Sequence, residues 1–156
     1  MIVPHTSGEI NALRQENGHV HWRTTAHAES DEMLLEEFLS WYAPLVYEIP
    51  RIYAQHPAGA LIVMDIRTGA EEWKANASSF SSPSFGENVL FTLDASGNIV
   101  CIEKQNGRVL WVEPLPSSKQ PLIWFGPVLA GSRLLLLNTE GEVLSFDPIK
   151  RVVENV

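Results

Sequence analysis

The chain has 156 residues, 45% of them hydrophobic and 19% charged, with 9% aromatic, which is the profile of a folded protein and excludes a disordered or low-complexity tail. Eleven Lys and Arg against nineteen Asp and Glu leave a net charge of -8, which argues against a nucleic-acid backbone or an anionic membrane surface as partner. A single cysteine, Cys101, excludes an internal disulfide and a cysteine-based zinc site. No stretch approaches the roughly 20 apolar residues of a membrane span.

The N-terminal Met-Ile-Val-Pro-His has neither the basic n-region nor the apolar h-region of a secretory signal. The expectation is a cytosolic chain, or one whose natural start lies upstream of Met1. The next fifteen residues, GEINALRQENGHVHW at 8–22, are the first of a repeated unit. The second is GALIVMDIRTGAEEW at 59–73, and the third is GNIVCIEKQNGRVLW at 97–111. Each opens on a glycine (Gly8, Gly59, Gly97), carries another ten residues on (Gly18, Gly69, Gly107) and ends on a tryptophan (Trp22, Trp73, Trp111). A fourth copy, GEVLSFDPIKRVVEN at 141–155, keeps Gly141 but has Arg151 and Asn155 at the later two positions.

The alternation of apolar and polar residues within a unit predicts strands, and Asn17-Gly18, Thr68-Gly69 and Asn106-Gly107 predict hairpin turns. The opening glycine closes the hairpin that leads into each unit, where a positive φ costs little only for glycine. Four residues after it stand Ala12, Val63, Cys101 and Ser145. All are small, so this is a crowded position, with the hairpin tryptophan as the neighbour that fills it and docks on an adjacent sheet. Cys101 is therefore expected to be a buried, inert thiol.

Further strands are expected at 44–49, 51–55, 88–93, 123–129 and 133–137, with loops at 56–59, 78–84 and 114–121. The long spacing between the first two units comes from an insert at 28–42, whose DEMLLEEFLSWY reads as one short amphipathic helix capped by Ser30 or Asp31. Unit starts at 8, 59, 97 and 141 lie 51, 38 and 44 residues apart, close to the roughly 40 to 45 residues of a four-stranded propeller blade.

The pattern is similar to the repeat of the PQQ-like β-propeller superfamily, which includes quinoprotein dehydrogenases and BamB-type outer-membrane assembly lipoproteins. Residues 59–73, with Asp65, Thr68 and Gly69, are the fullest match, and the other units depart at the Asp (Arg14, Glu103) and the Thr (Asn17, Asn106). The run WFGPVLAGSRLLLLNTEGEVLSFDP at 124–148 resembles the late blades of BamB-type proteins. The expected fold is thus all-β: one domain, 1–156, forming a partial propeller of about 3.5 four-stranded antiparallel blades with one helical insert. Such a half-ring reads as part of a larger propeller, or as one completed by self-association.

The resemblance implies a non-enzymatic scaffold, periplasmic and associated with the outer membrane. It would dock on the barrel-inserting subunit of the assembly machinery and offer strand edges to unfolded substrates. Two alternatives stay open: a fragment of a PQQ-dependent quinoprotein dehydrogenase, and a truncated remnant without independent function. No catalytic, cofactor-binding or metal-binding residue is assigned, and no cofactor is expected. A vicinal cysteine pair and a cluster of hard oxygen ligands are both missing from the sequence. His19 and His21 have a spacing that can serve a metal, yet two ligands do not make a site. The Ser-rich run at 78–84 has no His or Asp tied to it. Trp41 and Tyr42, at the end of the insert, are either a partner contact or the residues that pack the helix on its own blade.

Overall fold

The repeated units are the hairpins of four antiparallel sheets. The computed structural model describes residues 1–5, 9–25, 45–56, 60–77, 81–94, 96–117 and 122–155. The expected helix at 28–42, with Trp41 and Tyr42, and the opening glycines Gly8 and Gly59 lie outside the described residues. Among the described residues there is no helix.

The first sheet has three strands, β1 (Ile2–Pro4), β2 (Glu9–Leu13) and β3 (Val20–Thr25). The second has four, β4 (Val46–Glu48), β5 (Arg51–His56), β6 (Ala60–Asp65) and β7 (Glu71–Asn76). The third comprises β8 (Ser84–Phe85), β9 (Val89–Leu93), β10 (Asn98–Glu103) and β11 (Val109–Pro114). The fourth comprises β12 (Trp124–Ala130), β13 (Arg133–Asn138), β14 (Val143–Asp147) and β15 (Val152–Asn155). Within each sheet the strands pair in sequence order, so each sheet is a meander, the arrangement of a propeller blade. Two strands escaped the sequence reading, β1 and β8; the second lies at the end of the run expected to be a serine-rich loop.

The chain divides into two compact units, Met1–Phe80 and Ser81–Val156, each holding two sheets. In the first unit, Ile10, Ala12 and Trp22 of one sheet pack with Ile52, Ala54, Ile62 and Met64 of the next. In the second, Phe91, Leu93, Ile99 and Cys101 pack with Leu134, Leu136, Leu144 and Phe146. Each fully buried Leu, Ile or Phe here contributes about 1.5–3 kcal/mol. The middle strands β6 and β10 are buried through Leu61–Ile62–Val63–Met64 and Ile99–Val100–Cys101–Ile102, which is why they read as continuous apolar runs. The outer strands β3 and β7 alternate instead, with their tryptophans buried between exposed neighbours.

The small position has the neighbour expected of it. Ala12 lies opposite Trp22, Val63 opposite Trp73, and Cys101 opposite Trp111 in the strand register. Each of these hairpins carries a register shift just beyond the small residue. The extra residue on the outer strand turns the tryptophan onto the face of the small side chain. In the fourth hairpin the register runs without a shift, with position 145 opposite position 154. There the Arg133 guanidinium takes the place of the indole: Nε donates to Ser145 Oγ, and Nη2 donates to the Ser145 carbonyl at 3.3 Å.

Two tryptophans show how one blade grips the next. Trp22 Nε1 donates to the carbonyl of Ile66 at 3.1 Å, in the turn between β6 and β7. Its ring lies so close to Gly69 that an added Cβ would fall 2.5 Å from Trp22 Cε3. Gly69 therefore serves twice, as the positive-φ residue of its turn (φ 71°) and as the floor beneath the preceding blade's indole. Trp111 sits between Phe91 of its own sheet and Phe146 of the fourth, with ring centroids 5.9 and 5.8 Å away. Trp73 is buried and meets Tyr53 of its own sheet edge-on at 6.4 Å.

Where the fourth unit lost its turn glycine, Arg151 adopts the same left-handed backbone, φ 57°. Its Nη1 pairs with Glu113 Oε1 at 3.3 Å. Cys101 is 2% exposed, and burial pushes its thiol from the ordinary 9.0 up to about 11.

Three outcomes follow from this packing. Gly18, with φ 71° and open space around it, and Gly69 share a backbone conformation but not a neighbour. In urea unfolding, Gly18→Ala costs about 1 kcal/mol, the backbone penalty alone. Gly69→Ala costs about 3 kcal/mol, since the indole must also move. Arg151→Gly removes a left-handed penalty of about 1–2 kcal/mol at the loss of a half-exposed ion pair worth at most about 1 kcal/mol. The urea midpoint rises accordingly. Native Cys101 resists a thiol reagent at pH 8 and reacts once the chain is unfolded. The unfolded chain gives up this proton first, so the stability held by the neutral thiol is intact below pH 9 and is lost between 9 and about 11.

Candidate interaction surface

Several residues that carry chemistry in the described part of the chain are engaged in building the blades. Asp65 Oδ1 accepts from the N–H groups of Arg67 and Thr68 at 2.8 and 3.0 Å and from the Thr68 hydroxyl at 3.2 Å. Asp147 Oδ1 accepts from Ile149 and Lys150 N–H at 2.9 and 3.0 Å. These backbone donors hold both carboxyl groups below the ordinary 3.8. On the far side of the turn, Asn17, Thr68 and Asn106 each accept from an N–H two residues on. The departures from the Asp-x-x-Thr-Gly pattern thus keep one function: Asn supplies the same acceptor as Thr.

The serines at 81 and 84 have a positional role that the sequence did not reveal. Ser84 Oγ donates to the Pro127 carbonyl at 2.7 Å and accepts from Leu129 N–H at 3.1 Å, while Ser81 Oγ accepts from Gly126 N–H at 3.3 Å. They tie β8 to β12 where the β12–β13 register breaks between Phe125 and Val128. At that break Gly126 has φ 110°, and a Cβ there would meet the Leu135 carbonyl at 3.0 Å. The Gly-Pro of the WFGPVLAG run is therefore a clamped kink.

His19 and His21 are both exposed, His19 just before β3 and His21 within it. Among the described residues no three His, Cys, Asp or Glu side chains are grouped to hold a metal ion. The polar cluster on the first sheet is internally paired: Asn11 Nδ2 bonds His5 Nε2 at 2.8 Å and Glu9 Oε1 at 2.9 Å, and its Oδ1 accepts from Arg23 Nε at 3.1 Å.

What remains is exposed apolar surface. Trp124 packs against the core of the second unit, but Phe125 points to the other face and is 46% exposed. It forms a cross-strand row with Leu137 and Val143, both exposed, because residues in register across adjacent strands share a face. A second apolar stretch runs along β11, where Val109, Leu110 and Val112 are 43, 41 and 47% exposed. The partner contact expected at Trp41 and Tyr42 falls outside the described residues.

A family model described as "Outer membrane protein assembly factor BamB" matches residues 1–152. Among individual relatives, an uncharacterized protein of Rickettsia conorii is 28% identical over 123 residues, which cover 78% of this chain and 30% of that protein. The outer membrane protein assembly factor BamB of Marinobacter adhaerens is 34% identical over 70 residues, 45% of this chain and 18% of its own length. The crystal structure of BamB from Moraxella catarrhalis superposes on 99% of the chain with a TM-score of 0.79 at 17% identity, and 46% of that structure is covered. The quinohemoprotein alcohol dehydrogenase of Comamonas testosteroni shares the fold over 99% of the chain and 32% of its own, at a TM-score of 0.67 and 12% identity. The chain spans less than a third of the length of the curated relatives it matches and under half of the Moraxella structure. Its meandering blades, with their repeated small residue and tryptophan, form a partial β-propeller, and the chain belongs to the outer membrane protein assembly factor BamB family.

Proposed function

We propose that this chain is a non-enzymatic scaffold segment of the outer-membrane β-barrel assembly machinery, acting in the periplasm by binding the periplasmic domains of the barrel-inserting subunit. The observation that carries this reading is the family match over 1–152. It agrees with the chemistry of the described residues: the thiol is buried, Ser81, Ser84, Asp65 and Asp147 bond backbone groups, and the exposed features are apolar strands and rows suited to protein contact.

The test is direct binding of the purified chain to the isolated periplasmic domains of the barrel-inserting subunit, followed by interferometry. Saturable binding in the micromolar range is expected. No signal up to about 100 μM would remove the reading.

A second reading, a segment of a PQQ-dependent dehydrogenase, draws on the shared fold with the Comamonas enzyme. The described residues do not fit that cofactor: no acidic or histidine cluster is grouped for its metal, and the one cysteine is buried in the blade core. An absorbance change or a raised melting temperature on adding the quinone with calcium would favour this reading over the scaffold. An unchanged spectrum and melt are expected.

A further inference from the structure

The hairpin turns at 14–18, 65–69 and 103–107 share one backbone plan. The turn glycine has a positive φ in each, 71° at Gly18 and Gly69 and 75° at Gly107. Its N–H donates to the carbonyl four residues back, Arg14, Asp65 and Glu103, at 2.9, 2.9 and 3.0 Å. The residue before the glycine is Asn17, Thr68 or Asn106. An Asn-Gly peptide has a reaction that Thr-Gly lacks: the glycine nitrogen can attack the asparagine Cγ, because glycine has no side chain to block the approach. The second turn has no such amide and is inert.

The turn itself holds this reaction back. The glycine N–H must leave its carbonyl, and the asparagine side chain must swing toward it from Oδ1's bond to the N–H two residues on, His19 at 3.0 Å or Arg108 at 2.9 Å. Attack therefore waits for the turn to open, and the cost of opening depends on what else braces it. Gly107 is half-buried, and its turn is tied to the one between β8 and β9. There Lys104 N–H donates to the Asn88 carbonyl at 3.0 Å and Lys104 Nζ to the Gly86 carbonyl at 2.8 Å. Arg108 also pairs with Glu103 across the turn at 3.4 Å. The turn of Gly18 is bare by comparison. Its residues 14–18 are all exposed, and nothing lies within 4 Å of where a Gly18 Cβ would stand. Among the described residues no hydrogen bond reaches 15–18 from outside the hairpin.

We propose that Asn17 is a site of covalent modification in the folded protein, deamidating where Asn106 is protected. The Gly18 nitrogen bonds to Asn17 Cγ, the Cγ–Nδ2 bond breaks, and the Gly18 amide proton leaves with Nδ2 as ammonia. Solvent water then opens the cyclic imide at either carbonyl, giving aspartate or isoaspartate at 17. Both products add a negative charge to a chain already at -8. Aspartate keeps the acceptor for His19 N–H, whereas isoaspartate adds a carbon to the main chain of the turn and upsets the bond from Arg14 N–H to the His19 carbonyl that closes it. The inference is independent of the scaffold reading.

The test holds the full chain in mildly alkaline heavy-oxygen water, folded or in urea, and follows peptides from the two turns by mass spectrometry. Incorporated heavy oxygen separates conversion during incubation from conversion during digestion. Similar rates at the two asparagines are expected in urea. In the folded chain Asn17 should convert at least about tenfold faster than Asn106, the difference being the cost of opening the braced turn. The variant N17T, carrying the residue of the second turn, should lose the signal at this turn. Equal folded rates, faster conversion at Asn106, an Asn17 that converts only in urea, or a signal that survives in N17T would each overturn the proposal.

Discussion

In the first two sheets, the contact between Trp22 on one blade and the backbone turn of the next is the constraint on which the packing depends. An indole can lie flat on a turn only if that turn has no side chain beneath it, and Gly69 meets this need under Trp22. The ring also needs room on its own sheet, and the small residue opposite it in register provides this. The alternation of a strand would put a tryptophan ten residues down a hairpin on whichever face the count dictates. The bulge corrects the count. Small residue, bulge, glycine and tryptophan are thus four parts of one packing solution, and the indole's N–H, bonded to Ile66, leaves no buried donor unmet.

The fourth blade shows what happens when the set is broken together. The glycine is Arg151, the bulge is absent, and the tryptophan is gone. The hairpin still forms because Asp147 caps its turn and Arg151 accepts the left-handed backbone. The slot beside Ser145, with no indole to fill it, is closed by the stem and guanidinium of Arg133 from the neighbouring strand. The same face carries the exposed row of Phe125, Leu137 and Val143, so the blade that has lost its gripping residue is also the one whose outer face shows apolar side chains.

The polar side chains at the turns and the apolar side chains on the strands have separate roles in the blades. Ser81 and Ser84 of the serine run, and the turn residues Asp65 and Asp147, bond backbone N–H and C=O groups that a meander of short strands leaves open at its turns. Among the described residues, exposed apolar side chains form a row on the fourth sheet and a stretch along β11. Among the three comparable outer strands, only β11 lacks charged residues beside its tryptophan.

The repeat itself determined the meandering sheets, the positive-φ turns at Gly18, Gly69 and Gly107, and the pairing of each tryptophan with a small residue, because these depend on local spacing and on what a hairpin places opposite what. The Asn-for-Thr exchange was also readable once the turn was known, since either residue offers an oxygen two positions before the same N–H. The second duty of Gly69, the closure of the Ser145 slot by Arg133, the serine clamp on the Gly126 kink and the outward turn of Phe125 were not readable. Each joins residues far apart in sequence, or depends on which face of a strand another sheet happens to cover. Only the tertiary structure decides that, since a strand's alternation marks two faces without saying which of them will be buried.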